Sequence, residues 1–280
     1  ARSHNELSEY SEALVLLKEV FETECQERVQ VAIWFDGAIA ADRINQSDLS
    51  KKWLKKIWER YPQNHLADDA IRQSLEIDVR GKDTASALRL IDTFCVAYKD
   101  SPLIPEVLEL EGRIHYSAEE YQTAINIFRD LLENYSGNRS RDINWHYLKA
   151  LAHLGVEEFE NSKIELNKIS LDGMQQDLIS KYQIARATTF YGLGDYAEAI
   201  PHYREYLAVE ETGPEVNRAM AELAICFVES HQWDDAKVQV TKLQEQSAGE
   251  SIFETTLSFV AEKSYSAGKV GLAEVWFSEM

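Results

Sequence analysis

Residues 194–203 read Gly-Asp-Tyr-Ala-Glu-Ala-Ile-Pro-His-Tyr, and two other stretches share their layout. These are Glu-Glu-Tyr-Gln-Thr-Ala-Ile-Asn-Ile-Phe at 119–128 and His-Gln-Trp-Asp-Asp-Ala-Lys-Val-Gln-Val at 231–240. In each, a central alanine (Ala124, Ala199, Ala236) stands three residues after an aromatic side chain (Tyr121, Tyr196, Trp233). Four residues further on comes an apolar one (Phe128, Tyr203, Val240). Steps of three and four put all three positions on one face of a helix.

The same spacing runs through the chain. Small residues recur at Ala13, Ser50, Ala87, Ala124, Ser162, Ala199, Ala236 and Ala273, at intervals of 37 residues with a single 38. A second series lies twelve residues upstream of the first: Ala38, Leu75, Gly112, Ala150, Ala187, Ala224 and Ala261. Both gain their extra residue between Ala124 and Ala150, a window that contains the loop-forming run 136–142, Ser-Gly-Asn-Arg-Ser-Arg-Asp. Two series per period predict two helices per repeat, of about 13–17 residues each, crossing where only a small side chain fits. The turn between them is expected near Gly194 and Gly268. Ser117, Thr212 and Ser251, each followed three residues later by Glu, read as capping boxes. Pro201, about five residues into a second helix, is expected to bend its first turn.

Composition agrees with a helical array. The 280 residues contain only 12 Gly and 5 Pro, sparse punctuation that favours long helices over many short strands. A net charge of −19 argues against nucleic-acid backbones and anionic membrane surfaces as ligands. No apolar run approaches the roughly 20 residues of a membrane helix, so direct membrane insertion is not expected. Cys25, Cys95 and Cys226 fall in different repeats, beyond disulfide reach of one another.

The run Tyr191-Gly-Leu-Gly-Asp-Tyr-Ala-Glu-Ala-Ile200 resembles the inter-helix turn and second-helix start of the tetratricopeptide repeat (TPR) family. Tyr61-Pro-Gln-Asn and Tyr98-Lys-Asp-Ser-Pro102 resemble the repeat ends of bacterial TPR scaffolds of the cell envelope. That leaves the compartment open, with a lean towards the periplasm or envelope. The period exceeds the family's usual 34, and Ser50, Ser162, Leu75, Ser47 and Thr84 depart from its pattern. The resemblance implies an all-α, right-handed superhelical solenoid spanning 1–280, with about seven antiparallel helix pairs. One N-terminal second-type helix, from about Glu9 to Glu22, precedes them. The chain also reads as a segment of a longer protein, because Trp276–Met280 falls inside a second helix without a polar cap.

Catalytic chemistry is not indicated. The sequence holds no HExxH, GxSxG, P-loop or GxGxxG signature, so no enzyme activity, metal or cofactor is expected. His115 and His153 occupy one slot in successive repeats and read as packing residues. The carboxylate pairs Glu119/Glu120, Glu157/Glu158 and Asp234/Asp235 read as helix-start charges.

By family resemblance, the first helices line a concave groove through the positions −3, +1 and +4 from their small residue. The N-terminal triplets are charged: Arg72/Glu76/Val79 and Glu109/Arg113/Tyr116. The middle ones are apolar and aromatic, Tyr147/Leu151/Leu154, Ile184/Thr188/Tyr191 and Ala221/Ile225/Val228, and the last is Ser258/Glu262/Tyr265. The candidate partner-binding residues are therefore Tyr116, Tyr147, Leu151, Leu154, Ile184, Thr188, Tyr191, Ile225 and Val228. Arg72 and Arg113 stand beside Glu76 and Glu109, a poor match to the family's clamp for acidic peptides. The expected function is a scaffold binding a protein or peptide in this groove, with binding that salt affects little. The alternative is the non-catalytic TPR portion of a larger enzyme. Partner identity and oligomeric state are open.

Overall fold

A computed structural model describes residues 2–21, 25–173, 175–247 and 249–279. Among the described residues there are fifteen helices and no strand. The chain divides into two compact units, Ala1–Tyr135 and Ser136–Met280. Their boundary adjoins a loop at 136–138, shorter than the 136–142 run read from the sequence because α8 already begins at Arg139, in the window where both small-residue series gain one residue.

The first unit opens with α1 (Arg2–Val20), followed by the hairpins α2 (Glu27–Arg43) with α3 (Ser47–Arg60), α4 (Ala67–Arg80) with α5 (Thr84–Ala97), and α6 (Ile104–Ser117) with α7 (Tyr121–Asn134). In the second unit α8 (Arg139–Gly155) pairs with α9 (Phe159–Leu166), and α10 (Gln176–Leu193) with α11 (Tyr196–Leu207). Then α12 (Pro214–Glu229) pairs with α13 (Trp233–Ser247), and α14 (Ser251–Ser266) with α15 (Val270–Glu279). Seven pairs and one leading helix match the repeat arithmetic. Every second helix from α3 onward begins at the residue three before its small one: Ser47, Thr84, Tyr121, Phe159, Tyr196, Trp233 and Val270.

Both small-residue series lie at helix crossings. All of their members but Ala13 are buried. Of the apolar residues four beyond the first series, Leu17 is half-buried and Phe277 exposed, but Leu54, Ile91, Phe128, Leu166, Tyr203 and Val240 are buried as well. Each such side chain contributes roughly 1.5–3 kcal/mol. Volumes compensate across the crossing. Gly112 admits the ring of Phe128, to which an added Cβ would approach within 2.7 Å. In the preceding repeat, Leu75 and Ile91 fill the corresponding space in one core cluster. Leu75 therefore breaks the family pattern without leaving a misfit.

The turns within hairpins rest on a device only partly visible in the sequence. One residue per turn is left-handed: Asn45, Lys82, Glu119, Glu157, Gly194, His231 and Gly268, with φ between 58° and 76°. The next residue donates its N–H to a carbonyl five residues back, as in Glu120→His115, Glu158→His153 and Asp195→Phe190, each at 2.9 Å. This Schellman closure satisfies the end of the first helix and supplies the N-cap of the second. The capping boxes are corrected as well. Ser117 ends α6 and donates to the Arg113 carbonyl, the N-cap of α12 is Gly213, and that of α14 is Glu250. Side-chain caps come instead from Asp83 to the Ser86 amide and from Asn138 to the Arg141 amide.

Five of those seven left-handed residues carry a side chain, at a conformational cost of roughly 1–2 kcal/mol apiece. Glu119→Gly and Glu157→Gly are each expected to stabilise by about 0.5–1 kcal/mol in urea melts. Gly194→Ala should destabilise by about 1 kcal/mol, although no neighbour lies within 4 Å of its would-be Cβ. Unchanged melts for all three would contradict the turn geometry.

Three further departures have local causes. Helix α1 starts at Arg2 rather than near Glu9, since residues 2–8 contain no Gly or Pro to stop it. The expected end at Glu22 lies outside the described residues. Helix α9 has only 8 residues. Beyond it Ile169 folds back into the core, and the Tyr182 hydroxyl donates to the Leu166 carbonyl at 3.2 Å, satisfying the shortened end. Pro201 sits inside α11 without interrupting it.

Candidate protein-interaction face

Within each unit successive first helices touch one another: α4 with α6, and α8 with α10, α10 with α12, α12 with α14. The predicted stripe positions thus fall on first helices that touch one another. In the first unit the charged triplets are neutralised internally. Arg72 pairs with Glu76 and reaches towards Asp69, Arg113 pairs with Glu109 at 2.9 Å, and Arg80 pairs with Asp42. The two arginines that could have held an acidic peptide are therefore already engaged by their own helices. Tyr116, the single candidate in this unit, is half-buried and meets Tyr121 edge-on at 5.5 Å.

The second unit holds the other eight candidates. Tyr147, Leu151 and Leu154 on α8 are half-buried against the core formed by Ala150, Leu166, Ile169, Tyr182 and Ala185. The Tyr147 hydroxyl reaches the Lys181 carbonyl of α10 at 3.4 Å. Thr188 and Tyr191 on α10 and Ile225 on α12 are also half-buried. Tyr191 meets Tyr196 edge-on at 5.8 Å, repeating the Tyr116–Tyr121 arrangement. Two candidates are corrected: Ile184 (6% exposed) and Val228 (2%) belong to the core. Helix α12 packs against α10 and α11 on one side and α13 and α14 on the other. Its buried arc is wide, and the strip left open, Arg218, Glu222, Ile225 and Glu229, keeps Ile225 but has Glu222 and Glu229 one residue beyond the expected Ala221 and Val228.

That displacement puts charge on a face the sequence suggested was uncharged. Glu222 accepts the Tyr203 hydroxyl at 2.5 Å, and Arg218 stands 3.9 Å from it. Burial holds its carboxyl above the usual carboxylate range. Glu229 accepts Lys263 at 2.6 Å. Burial first, and then the charge of Glu222, push the Tyr191 hydroxyl up to about 12.

His115, His146 and His153 make structural contacts. His115 Nδ1 lies 2.5 Å from Glu120, and His153 Nδ1 lies 2.7 Å from Glu158. Each joins the end of a first helix to the N-cap of the next. His146 belongs to a cluster that sequence reasoning missed, centred on the buried Glu165. There His146 Nδ1 approaches at 2.7 Å, Lys149 at 3.0 Å and Lys168 at 3.1 Å. Among the described residues no group of three or more His, Cys, Asp or Glu could hold a metal ion, and no helix is long and apolar enough to cross a membrane. An open cleft of about 460 Å³ in the first unit, lined by Pro62, His65, Asp68, Tyr98 and Pro102 among others, contains none of the candidate residues.

Residues 184–237, which include the turn quoted above, match the model of the tetratricopeptide repeat family. No curated protein matches the sequence. Several solved structures share the fold. A tetratricopeptide repeat protein from Parabacteroides merdae is 12% identical with a TM-score of 0.59, covering 89% of this chain and 91% of its own. PilF of Pseudomonas aeruginosa is 13% identical with a TM-score of 0.62, covering 84% and 99%. The apo form of RapI is 12% identical with a TM-score of 0.63, covering 100% and 96%. Residues 184–237 thus form a tetratricopeptide-type unit, and the hairpins around them keep the same period, crossing and turn within an all-α solenoid of that fold.

Proposed function

We propose that this chain is a non-catalytic interaction scaffold that receives a segment of another protein on the first-helix face of its second unit. The observation that carries this reading is the row Tyr147, Leu151, Leu154, Thr188, Tyr191 and Ile225. These side chains recur at one register on touching helices and are half-buried rather than enclosed. Core packing does not require aromatic and aliphatic side chains at such positions. A recessed, partly solvated apolar strip suits an amphipathic helix or an extended apolar peptide. General knowledge of the fold agrees, since tetratricopeptide repeats act as protein-binding scaffolds.

Tyr191→Ala and Tyr147→Ala should each weaken partner binding by about 1 kcal/mol or more, as loss of aromatic anchors does. Circular dichroism should show unchanged helix content. Binding that survives both substitutions would place the partner on another surface.

A further inference from the structure

We infer that the segment bound on this face carries a basic side chain, lysine or arginine, flanked by apolar residues, and that Glu222 and Glu229 receive it on either side of Ile225. This rests on the scaffold reading above and adds the chemistry of the partner.

The geometry is a short strip with a defined order. Arg218, Glu222, Ile225 and Glu229 are spaced four, three and four along α12, so they share one helical face. The two carboxylates bracket the isoleucine. Both are recessed, with side chains 17% and 23% exposed. From α10, Tyr191 lies within the electrostatic reach of both, and Thr188 stands one turn before it. An apolar seat thus has an acid at each side and an aromatic ring beside it.

Glu222 is incompletely neutralised, whereas Glu229 is paired with Lys263 at 2.6 Å. Glu222 takes one hydrogen bond, from Tyr203, and its nearest cation is Arg218 at 3.9 Å. Arg218 is about half exposed and also pairs with Glu215 at 3.2 Å. Lys263, which holds Glu229, is also about half exposed. Recessed carboxylates facing screened cations gain from a further positive group that excludes water from them. A lysine or arginine suits the site twice, because its aliphatic stem can lie on Ile225 and Tyr191 while its head reaches the acids. The chain's net charge of −19 draws such a segment in.

The test is to pan a random-peptide phage library on the full chain and synthesise the enriched sequences. Their affinities are then measured for wild type, Glu222→Gln and Tyr203→Phe at about 50 and about 300 mM salt. Glutamine keeps an acceptor for Tyr203 but removes the charge, whereas phenylalanine removes the hydrogen bond and keeps the charge. Enriched peptides should carry Lys or Arg beside Leu, Ile or an aromatic residue. Glu222→Gln should weaken them about tenfold, mostly at low salt, and Tyr203→Phe by no more than about twofold. Purely apolar peptides unaffected by Glu222→Gln would overturn this inference and leave the scaffold reading intact. Equal losses in both variants would also overturn it, because the effect would then be one of folding. Peptides indifferent to Tyr191→Ala and Tyr147→Ala, or no enrichment at all, would overturn the scaffold reading itself.

Discussion

Alanine at Gly37 is expected to destabilise the first unit by about 3 kcal/mol or more, at the upper end of overpacking effects. A Cβ there would lie 1.5 Å from Cζ3 of Trp53, 2.1 Å from Cε3 and 2.7 Å from Cη2. The indole cannot yield. Trp53 is 2% exposed and stacked on Phe21, with ring centroids 4.4 Å apart, and Phe21 in turn meets Trp34. Relief would need the α2–α3 hairpin to open and disturb several large rings at once. Gly271→Ala is the matched control. It also lies in a helix, but nothing stands within 4 Å of its added methyl, so it should gain up to about 1 kcal/mol from helix propensity. Urea melts in which the two variants behave alike would contradict the packing of Trp53 against α2.

A comparable loss is expected on neutralising Glu165. Burial alone would push its carboxyl up. The hydrogen bonds from His146, Lys149 and Lys168 outweigh that and hold it down at about 2. An unfolded glutamate titrates at about 4.3, so its folded value is the lower one. Its contribution is therefore complete above about pH 4.3 and is lost as pH falls towards about 2, amounting to about 3 kcal/mol. Glu165→Gln should cost a similar amount at neutral pH, leaving Lys149 and Lys168 without their counter-charge. The gap between wild type and variant should close as the pH is lowered through that window. A gap that stays constant from pH 6 to about pH 2 would show that Glu165 is not held as the ionised form.

Much of the repeat was legible because its signals are steric. A crossing tolerates only small side chains, so alanines and serines mark it at constant intervals. The large residue four positions on marks the side it packs against. The hairpin turn was legible at Gly194 and Gly268 and hidden elsewhere, because Asn45, Lys82, Glu119, Glu157 and His231 adopt the same left-handed backbone without glycine. Local signals also misled. Ser117 and Ser251 resemble caps, yet Ser117 is the last residue of α6 and Ser251 the first of α14, behind its cap Glu250. The proposed binding face follows the −3, +1 and +4 positions on α8 and α10, where all but Ile184 remain half-buried. It was misjudged on α12, because how much of a helix its neighbours cover depends on packing and not on its own periodicity. Ile184 and Val228 went to the core, and Glu222 and Glu229 were overlooked for the same reason.

The central claim is that partners engage the first-helix face of the second unit. It is tested most directly by placing a photo-crosslinking residue in an enriched peptide and mapping its attachment by mass spectrometry. Crosslinks concentrated on α8, α10 and α12, around Leu151, Tyr191 and Ile225, are the predicted result. Crosslinks on exposed second-helix side chains such as Ile164 or Val238 would contradict it.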